Sequence, residues 1–471
     1  MSSAVLGIRD NRAMVPILTG VGALIGYAIA GSMWDSLIAS LLLPSLLVLL
    51  VYLPSINAVV FWIALVPLLQ FYMRVELPTG IPDLTPPRAM AIVALVANLA
   101  QVVRRDHLRV ERADLINGAL LLFVVVRTLS AAWSPLSLSK AFLPIVDSVW
   151  IPYLLYRLTL AGIQRPEGVD RFLRVLLVIV IVGGALGLIE SVLRLDKVIF
   201  SYLGAPRTDY IVWTTDGIRR AAGPYLNPAI YGLQLGLGML IALHRVRSTS
   251  QKEGSMLTFA FCLICVFACF TRGSWLGVLV GHLLFLALTG DWKLLRPMLL
   301  VAVLAGFATV FASMEQHELL AQRMGNEGTA TTRLALADRG LQMIAAKPML
   351  GRGVGGYEAA HHSFGSAFGD PDGVSSHNTY LTVAVDSGLP ALFLLLLGFG
   401  RPIRRSLLWA NRQPRGHDSR SRITLLVAAI AALAIGSAFI DLTSATYLMA
   451  VTFVFLALLE RSVPNAGRVD A

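Results

Sequence analysis

Four clusters of polar residues interrupt an otherwise apolar chain, and through them it could do chemistry. The first is RRAAGPYLNPAIYG at 219–232, where Arg219 and Arg220 border an apolar run. A basic pair in such a place ordinarily holds lipid headgroups. The other reading is a phosphate clamp, because the guanidinium is permanently charged and its planar fork fits a diphosphate better than an ammonium does. The second cluster is FTRGSWLG at 270–277, with Arg272 between two apolar runs and almost no loop around it. The third joins KPMLGRGVGGYEAAHHSFGSAF (347–368) to SSHNTYLTVAVDSGLPA (375–391). His377 opens an apolar run there, and histidine is the side chain best suited to moving a proton near neutral pH. A lone histidine at an interface is nevertheless more often simply polar. Gly351, Gly353 and Gly355 follow a helix-like stretch rather than a strand, which argues against a dinucleotide turn and for flexible backbone with amides near a ligand. The fourth is Cys262, Cys265 and Cys269 on one helix face, in an apolar FCLICVFAC with no fourth ligand nearby. These read as packing residues rather than a metal site.

The elements that must position these residues are membrane helices. The 471 residues are 56% hydrophobic and 14% charged, with a mean hydropathy of +0.71, which excludes an ordinary soluble domain and a disordered chain. Three cysteines exclude a disulfide framework. The net charge of +11 lies in short clusters between apolar runs, a topology signal rather than a nucleic-acid face. Runs near the roughly 20 residues a span requires fall at 15–33, 36–53, 55–73, 89–103, 115–133, 141–161, 172–193, 224–243, 255–270, 273–290, 296–314, 379–400, 423–441 and 442–459. The expectation is an all-α polytopic bundle of about 12–14 transmembrane helices. It divides into 1–314 as spans, 315–378 as one long loop, and 379–471 as C-terminal spans with a tail. No internal repeat stands out.

With the 315–378 loop outside, most Lys and Arg of the linkers fall inside, above all in 401–422, and both termini lie in the cytoplasm. The first apolar run is followed at once by further spans, so it reads as part of the bundle rather than a cleaved signal. Within the long loop, 331–346 places Leu334, Leu341 and Ile344 at helical spacing among charges, as in a helix lying on the membrane surface. Pro348 should stop it. Arg127, Asp147, Glu190, Asp386 and Asp441 fall inside candidate spans, as partners of a site or as helix-pairing groups.

This topology puts Arg220, Arg272 and His377 on one outer face. Two arginines and one histidine, without a paired acid or a metal cluster, suit a reaction in which an anionic leaving group needs neutralising and a nucleophile must lose one proton. Transfer of a group off a lipid diphosphate makes those demands. A carrier for such a lipid is the alternative of a different class, but it should show related halves and polar groups near the bilayer midplane.

At these residues the chain resembles the bacterial O-antigen ligases, O-antigen polymerases and protein O-oligosaccharyltransferases. The resemblance rests on RAAGPYLNP (220–228), TRG (271–273), PMLGRGVGGY (348–357), HN (377–378) with GLPA (388–391), and WSPLSLSKAFLPIVDSVWIPYLLY (133–156). It implies a GT-C-like, metal-independent, inverting glycosyltransferase without a cofactor in the bacterial inner membrane. The donor would be an undecaprenyl-diphosphate-linked glycan used on the periplasmic side, and the acceptor a hydroxyl of lipid A-core, of another sugar or of a protein. By the same resemblance Arg220 and Arg272 contact the diphosphate and His377 activates the acceptor hydroxyl, while Arg219, Arg352, Tyr357 and Asn378 are candidate substrate contacts. Ligase is preferred to repeat-unit polymerase, since the motifs lie in a loop of moderate size and no large soluble domain is present to recognise a protein. The chain departs from the family pattern at Ala229, where Asn is usual, and at Ala391, where Gly is frequent. Neither change removes a charged or proton-moving group.

Overall fold

The computed structural model describes residues 55–69, 85, 87–95, 115–163, 166–193, 214–215, 218–225, 227–248, 252–296, 298–300, 303, 328–363, 375–414 and 417–463. The expected spans at 15–33 and 36–53, and nearly all of 296–314, lie outside the described residues.

The chain is a polytopic helical membrane protein. Its helices are α1 (Ser55–Leu69), α2 (87–95), α3 (Leu115–Leu129), α4 (Leu138–Gly162), α5 (Pro166–Val192), α6 (Pro228–Ser248), α7 (Lys252–Ala268), α8 (Arg272–Thr289), α9 (Gly328–Ala346), α10 (Gly356–Ser363), α11 (Thr379–Ala410), α12 (Asp418–Gly436) and α13 (Thr446–Ser462). The one sheet among the described residues is a two-residue ladder, β1 (Thr214–Thr215) antiparallel to β2 (Ile218–Arg219). Six of the described helices, α4, α5, α6, α8, α11 and α12, are long and apolar enough to cross a bilayer.

Helices α6, α12 and α13 are apolar on all sides and are buried on nearly all sides. They form the centre of the bundle. Around them α5, α8 and α11 turn Val178, Val182, Leu279, Leu283, Phe393 and Leu396 outward, a periphery suited to hydrocarbon. Lipid offers little hydrophobic drive between helices, so close approach of small residues has to hold them together. Gly236 of α6 sits so near α8 that a Cβ there would lie 2.2 Å from Val278, and one on Gly281 of α8 would lie 2.7 Å from the Cβ of Ala432 in α12. The cysteines belong to the same packing. Cys262, Cys265 and Cys269 are buried, with Cys262 and Cys269 facing Gly238 and Gly232 of α6, although Cys269 stands in the turn after α7 rather than on the helix itself.

Three boundaries differ from the sequence expectation. The run beginning at 224 starts as a 3₁₀ turn, Gly223–Tyr225, and becomes α-helix only at Pro228, which supplies a preset φ where no N–H is needed. The run at 423–441 ends at Gly436, and a 3₁₀ turn at Leu442–Ser444 separates α12 from α13. Asp441 therefore lies in a turn, not in a span. Its carboxylate accepts from the Thr443 amide and hydroxyl, side-chain bonding that competes with helix. Finally α11 runs past residue 400 to Ala410 and bends at Gly388, where φ is +83°.

Helix α9 ends at Ala346, just before Pro348, as its sequence suggests. It lays Leu336, Gly340 and Met343 on the bundle, with Leu381 of α11 against Gly340, and leaves Leu334 and Leu341 exposed.

Candidate functional site

The segment 220–228 and the α7–α8 turn meet at one end of the bundle. The Ala221 amide donates to the Ala268 carbonyl at 2.9 Å, which lays Arg220 along the turn. Its Nε donates to the Cys269 carbonyl at 3.2 Å and its Nη2 to Thr271 Oγ1 at 2.6 Å. Arg272 follows Thr271 directly, exposed, as the first residue of α8. Arg220 is thus bonded to the residue that precedes Arg272, beside a helix N-terminus that itself favours an anion. The backbone of Arg219 is in β2; its side chain lies outside the described residues, as do those of His361 and His362.

The histidine reaches this end through the chain that links α12 to α13. Gly273 packs on Phe439, whose Cβ would lie 2.5 Å from a Cβ added there. The flanking residues hold the start of α11, since the Thr379 amide donates to the Ser437 carbonyl and its hydroxyl to the Ile440 carbonyl. Two residues earlier, His377 has φ +50°, and Phe270 beside the arginines has φ +46°. These two are the non-glycine residues in the left-handed region among the described residues. Such strain persists only where surroundings enforce it, and it gathers at functional sites.

The surroundings of His377 are visible. Ser376 Oγ bonds the Asn378 carbonyl and Thr382 Oγ1, and Thr382 donates to Asp441 at 2.6 Å. Asn378 caps α11, its side-chain oxygen accepting from the Tyr380 and Leu381 amides. That is a positioning task, and it supplies the turn that carries the histidine. His377 itself is exposed, yet its pKa is pushed below 6.5, first by partial burial of the ring and then by Arg333, with Asp441 opposing. A neutral imidazole at neutral pH is the form that accepts a proton.

The glycine loop is fastened from two sides. The Arg352 amide donates to the Val385 carbonyl and the Gly353 amide to the Asp386 carbonyl at the bend of α11. Trp133 Nε1 donates to the Leu350 carbonyl and Ser134 Oγ to the Val354 carbonyl. Gly351 and Gly353 have φ +70° and +84°, and a Cβ on Gly353 would lie 2.4 Å from the Ser134 Cα. The glycines serve this close backbone packing and are not a dinucleotide turn. Arg352 and Tyr357 belong to the loop and to α10. Tyr357 is buried, its hydroxyl donates to the Leu336 carbonyl, and burial pushes its pKa up to about 12. It anchors α10 to α9 rather than presenting a free hydroxyl.

Beneath the loop is a buried ion pair. Arg127 Nη2 donates to Asp386 Oδ2 at 3.0 Å and Nη1 to Ser387 Oγ at 2.9 Å, while the Asp386 carboxylate also accepts from the Gly355 and Tyr357 amides. Arg88 and Asp147 form a second, two-bonded pair at 2.8 and 2.6 Å. Asp147 sits in a π-helical turn of α4, Val146–Trp150, between Pro144 and Pro152. Glu190, fully buried, accepts from the Gly223 amide and holds the 3₁₀ turn below Arg220. Asp147, Glu190, Asp386 and Arg127 are thus bonded to neighbouring elements beneath the site. Arg88 escaped sequence reasoning; its one signal is a basic residue in PPRAM at the head of an apolar run.

The two pairs line a cavity of about 300 Å³ between α3, α4, the glycine loop, the start of α11 and the 441–446 turn. Among the described residues no group of three His, Cys, Asp or Glu is placed to hold a metal ion.

Residues 257–396, from α7 to the middle of α11, match the family described as O-antigen ligase. The match covers less than a third of the chain and takes in Arg272, the glycine loop and His377, while Arg220 lies before it. Comparison with curated proteins finds no match.

Proposed function

From the O-antigen ligase domain at 257–396, which supports the O-antigen ligase family, we propose that this membrane protein moves a glycan from undecaprenyl diphosphate to an acceptor hydroxyl on the periplasmic side of the bacterial inner membrane. What carries the reading is the meeting of Arg220, Arg272 and the His377 turn at one end of the bundle, through Thr271, Gly273 and Phe439. His377 accepts the acceptor's proton, and the acceptor oxygen forms its bond to the anomeric carbon. The bond from that carbon to phosphate breaks on the opposite side, inverting the centre, and the electron pair leaves on undecaprenyl diphosphate. Arg220 and Arg272 offset the charge that develops there. These residues need no metal for either task. Within the expected loop of 315–378, α9, α10 and the His377 turn form the acceptor side of the site. Lipid A-core is the preferred acceptor.

The test is incubation of the purified protein with a polyprenyl-diphosphate glycan. Release of the polyprenyl diphosphate with transfer of the sugar supports the reading, and an intact donor moved between leaflets identifies a carrier. A glycan profile of cells lacking the protein separates the acceptors. Long chains left on the carrier lipid indicate a ligase, and single repeat units alone indicate a polymerase.

A further inference from the structure

Among the described residues, those that line the cavity of about 300 Å³ include Ser376, the neighbour of His377, but neither Arg220 nor Arg272. Ser376 and Thr382, which hold the histidine's turn, line it, whereas Gly273 and Phe439 face the arginine side. Its volume is at the small end of the range for ligand pockets, enough for a sugar ring rather than a polymer. Its charge is unlike that of the arginine face. Asp147, Glu358, Asp386 and Asp441 set four carboxylates against two guanidiniums, and Arg88 and Arg127 are both already bonded to carboxylates in the wall. A phosphate or carboxylate entering there would meet like charge, and both guanidiniums among the described lining residues already bond carboxylates. Hydroxyl or amine donors would meet acceptors, with Thr443 and Ser444 hydroxyls beside them. One further atom awaits a partner: Arg127 is 2% exposed, and its Nε has no acceptor among the described residues. A ring or hydroxyl oxygen would satisfy it, since a buried unpaired donor is costly.

We infer that this cavity is the acceptor's sugar subsite and that it selects by charge, admitting neutral or amine-bearing rings and rejecting rings that carry carboxylate or phosphate. The inference rests on the glycosyl-transfer reading for the word acceptor, but the selection by charge can be measured without turnover. The probes are methyl glucoside, methyl glucosaminide and methyl glucuronide, each titrated into the full-length protein in nanodiscs and followed by saturation-transfer NMR. The first two should bind, and the glucuronide at least tenfold more weakly. Glu358→Gln, at an exposed position, should narrow that gap severalfold, and so should raised salt. Arg220→Ala should leave glycoside binding unchanged while weakening binding of inorganic pyrophosphate. Equal or tighter binding of the glucuronide, no binding of any glycoside, or a gap indifferent to Glu358→Gln would overturn the subsite. Transfer from a polyprenyl-diphosphate donor is assayed separately. Charge-selective glycoside binding without transfer would remove the acceptor assignment and the enzyme reading together, and transfer without charge selection would remove the subsite alone.

Discussion

His377 combines three properties: an exposed position, a left-handed backbone and a pKa held below 6.5. If it is the base, His377→Ala should lower transfer by roughly 10²-fold or more with the protein still inserted, and unaltered turnover would remove it from the mechanism. The sign of its pH dependence follows from its neighbours. A lowered pKa keeps the neutral, proton-accepting form down to pH values below 6.5, so the acid limb of kcat/KM should fall below that value. Removing the Arg333 cation in Arg333→Gln should move the limb up, and removing the opposing carboxylate in Asp441→Asn should move it further down. A limb that ignores both substitutions belongs to another group. At the arginines, Arg220→Ala and Arg272→Ala should each lower turnover by roughly 10²-fold. Lysine should rescue only in part, because it keeps the charge and loses the planar fork, which at Arg220 reaches both Cys269 and Thr271.

At the scale of elements, the site depends on a loop, two helix starts and one turn, and their fastening is unequal. The Arg127–Asp386 pair is deeply buried, at 2% and 3% side-chain exposure, and it carries the amides of Gly355 and Tyr357 with it. Arg127→Leu should cost about 3–5 kcal/mol by leaving a buried carboxylate uncompensated, and Arg127→Leu with Asp386→Leu should cost less than the single change. Thermal unfolding in detergent measures both. Gly353→Ala tests the second fastening. A side chain there meets the Ser134 backbone and an unfavourable φ at once, so the loop should lift from the end of α3. Protease cleavage at 348–357 should become faster while the helices α6, α12 and α13 remain intact.

For the whole molecule, the bundle separates two ends. One holds Arg220, Arg272 and the His377 turn. The other, at the far ends of α6 and α8, has Arg247 paired with Asp291, and Arg422 bonded doubly to Asp170. Orientation is testable because Cys262, Cys265 and Cys269 are buried and should not label. A cysteine introduced at Glu358 should react with an impermeant maleimide in intact spheroplasts, and one at Arg412 only after lysis. The opposite pattern would invert the proposed topology. A chelator should leave transfer unchanged, and inhibition reversed by added metal would contradict the metal-free reading.

Much of this was legible in one dimension. Apolar runs of span length and the basic linkers between them determined a helical membrane protein, because hydrocarbon requires backbone groups to be satisfied within the segment. Residue type and position marked the Arg219–Arg220 pair, Arg272 and His377, since polar groups at a membrane boundary are costly enough to stand out, and the family resemblance chose Arg220 of the pair. Tertiary structure decided the rest. Nothing in the spacing of Arg127 and Asp386, 259 residues apart, announces that they pair and carry the glycine loop. Nothing in Phe270 signals a left-handed backbone, for its φ is imposed by the turn between α7 and α8. The turn at Asp441 was hidden within a nearly continuous apolar run. Side-chain bonds to Thr382 and Thr443 hold that turn, with the carboxylate near the histidine. Hydrophobic pattern is local and additive, so sequence determines it; ion pairs, strain and cavities are made by contacts between distant segments, and only the folded bundle places them.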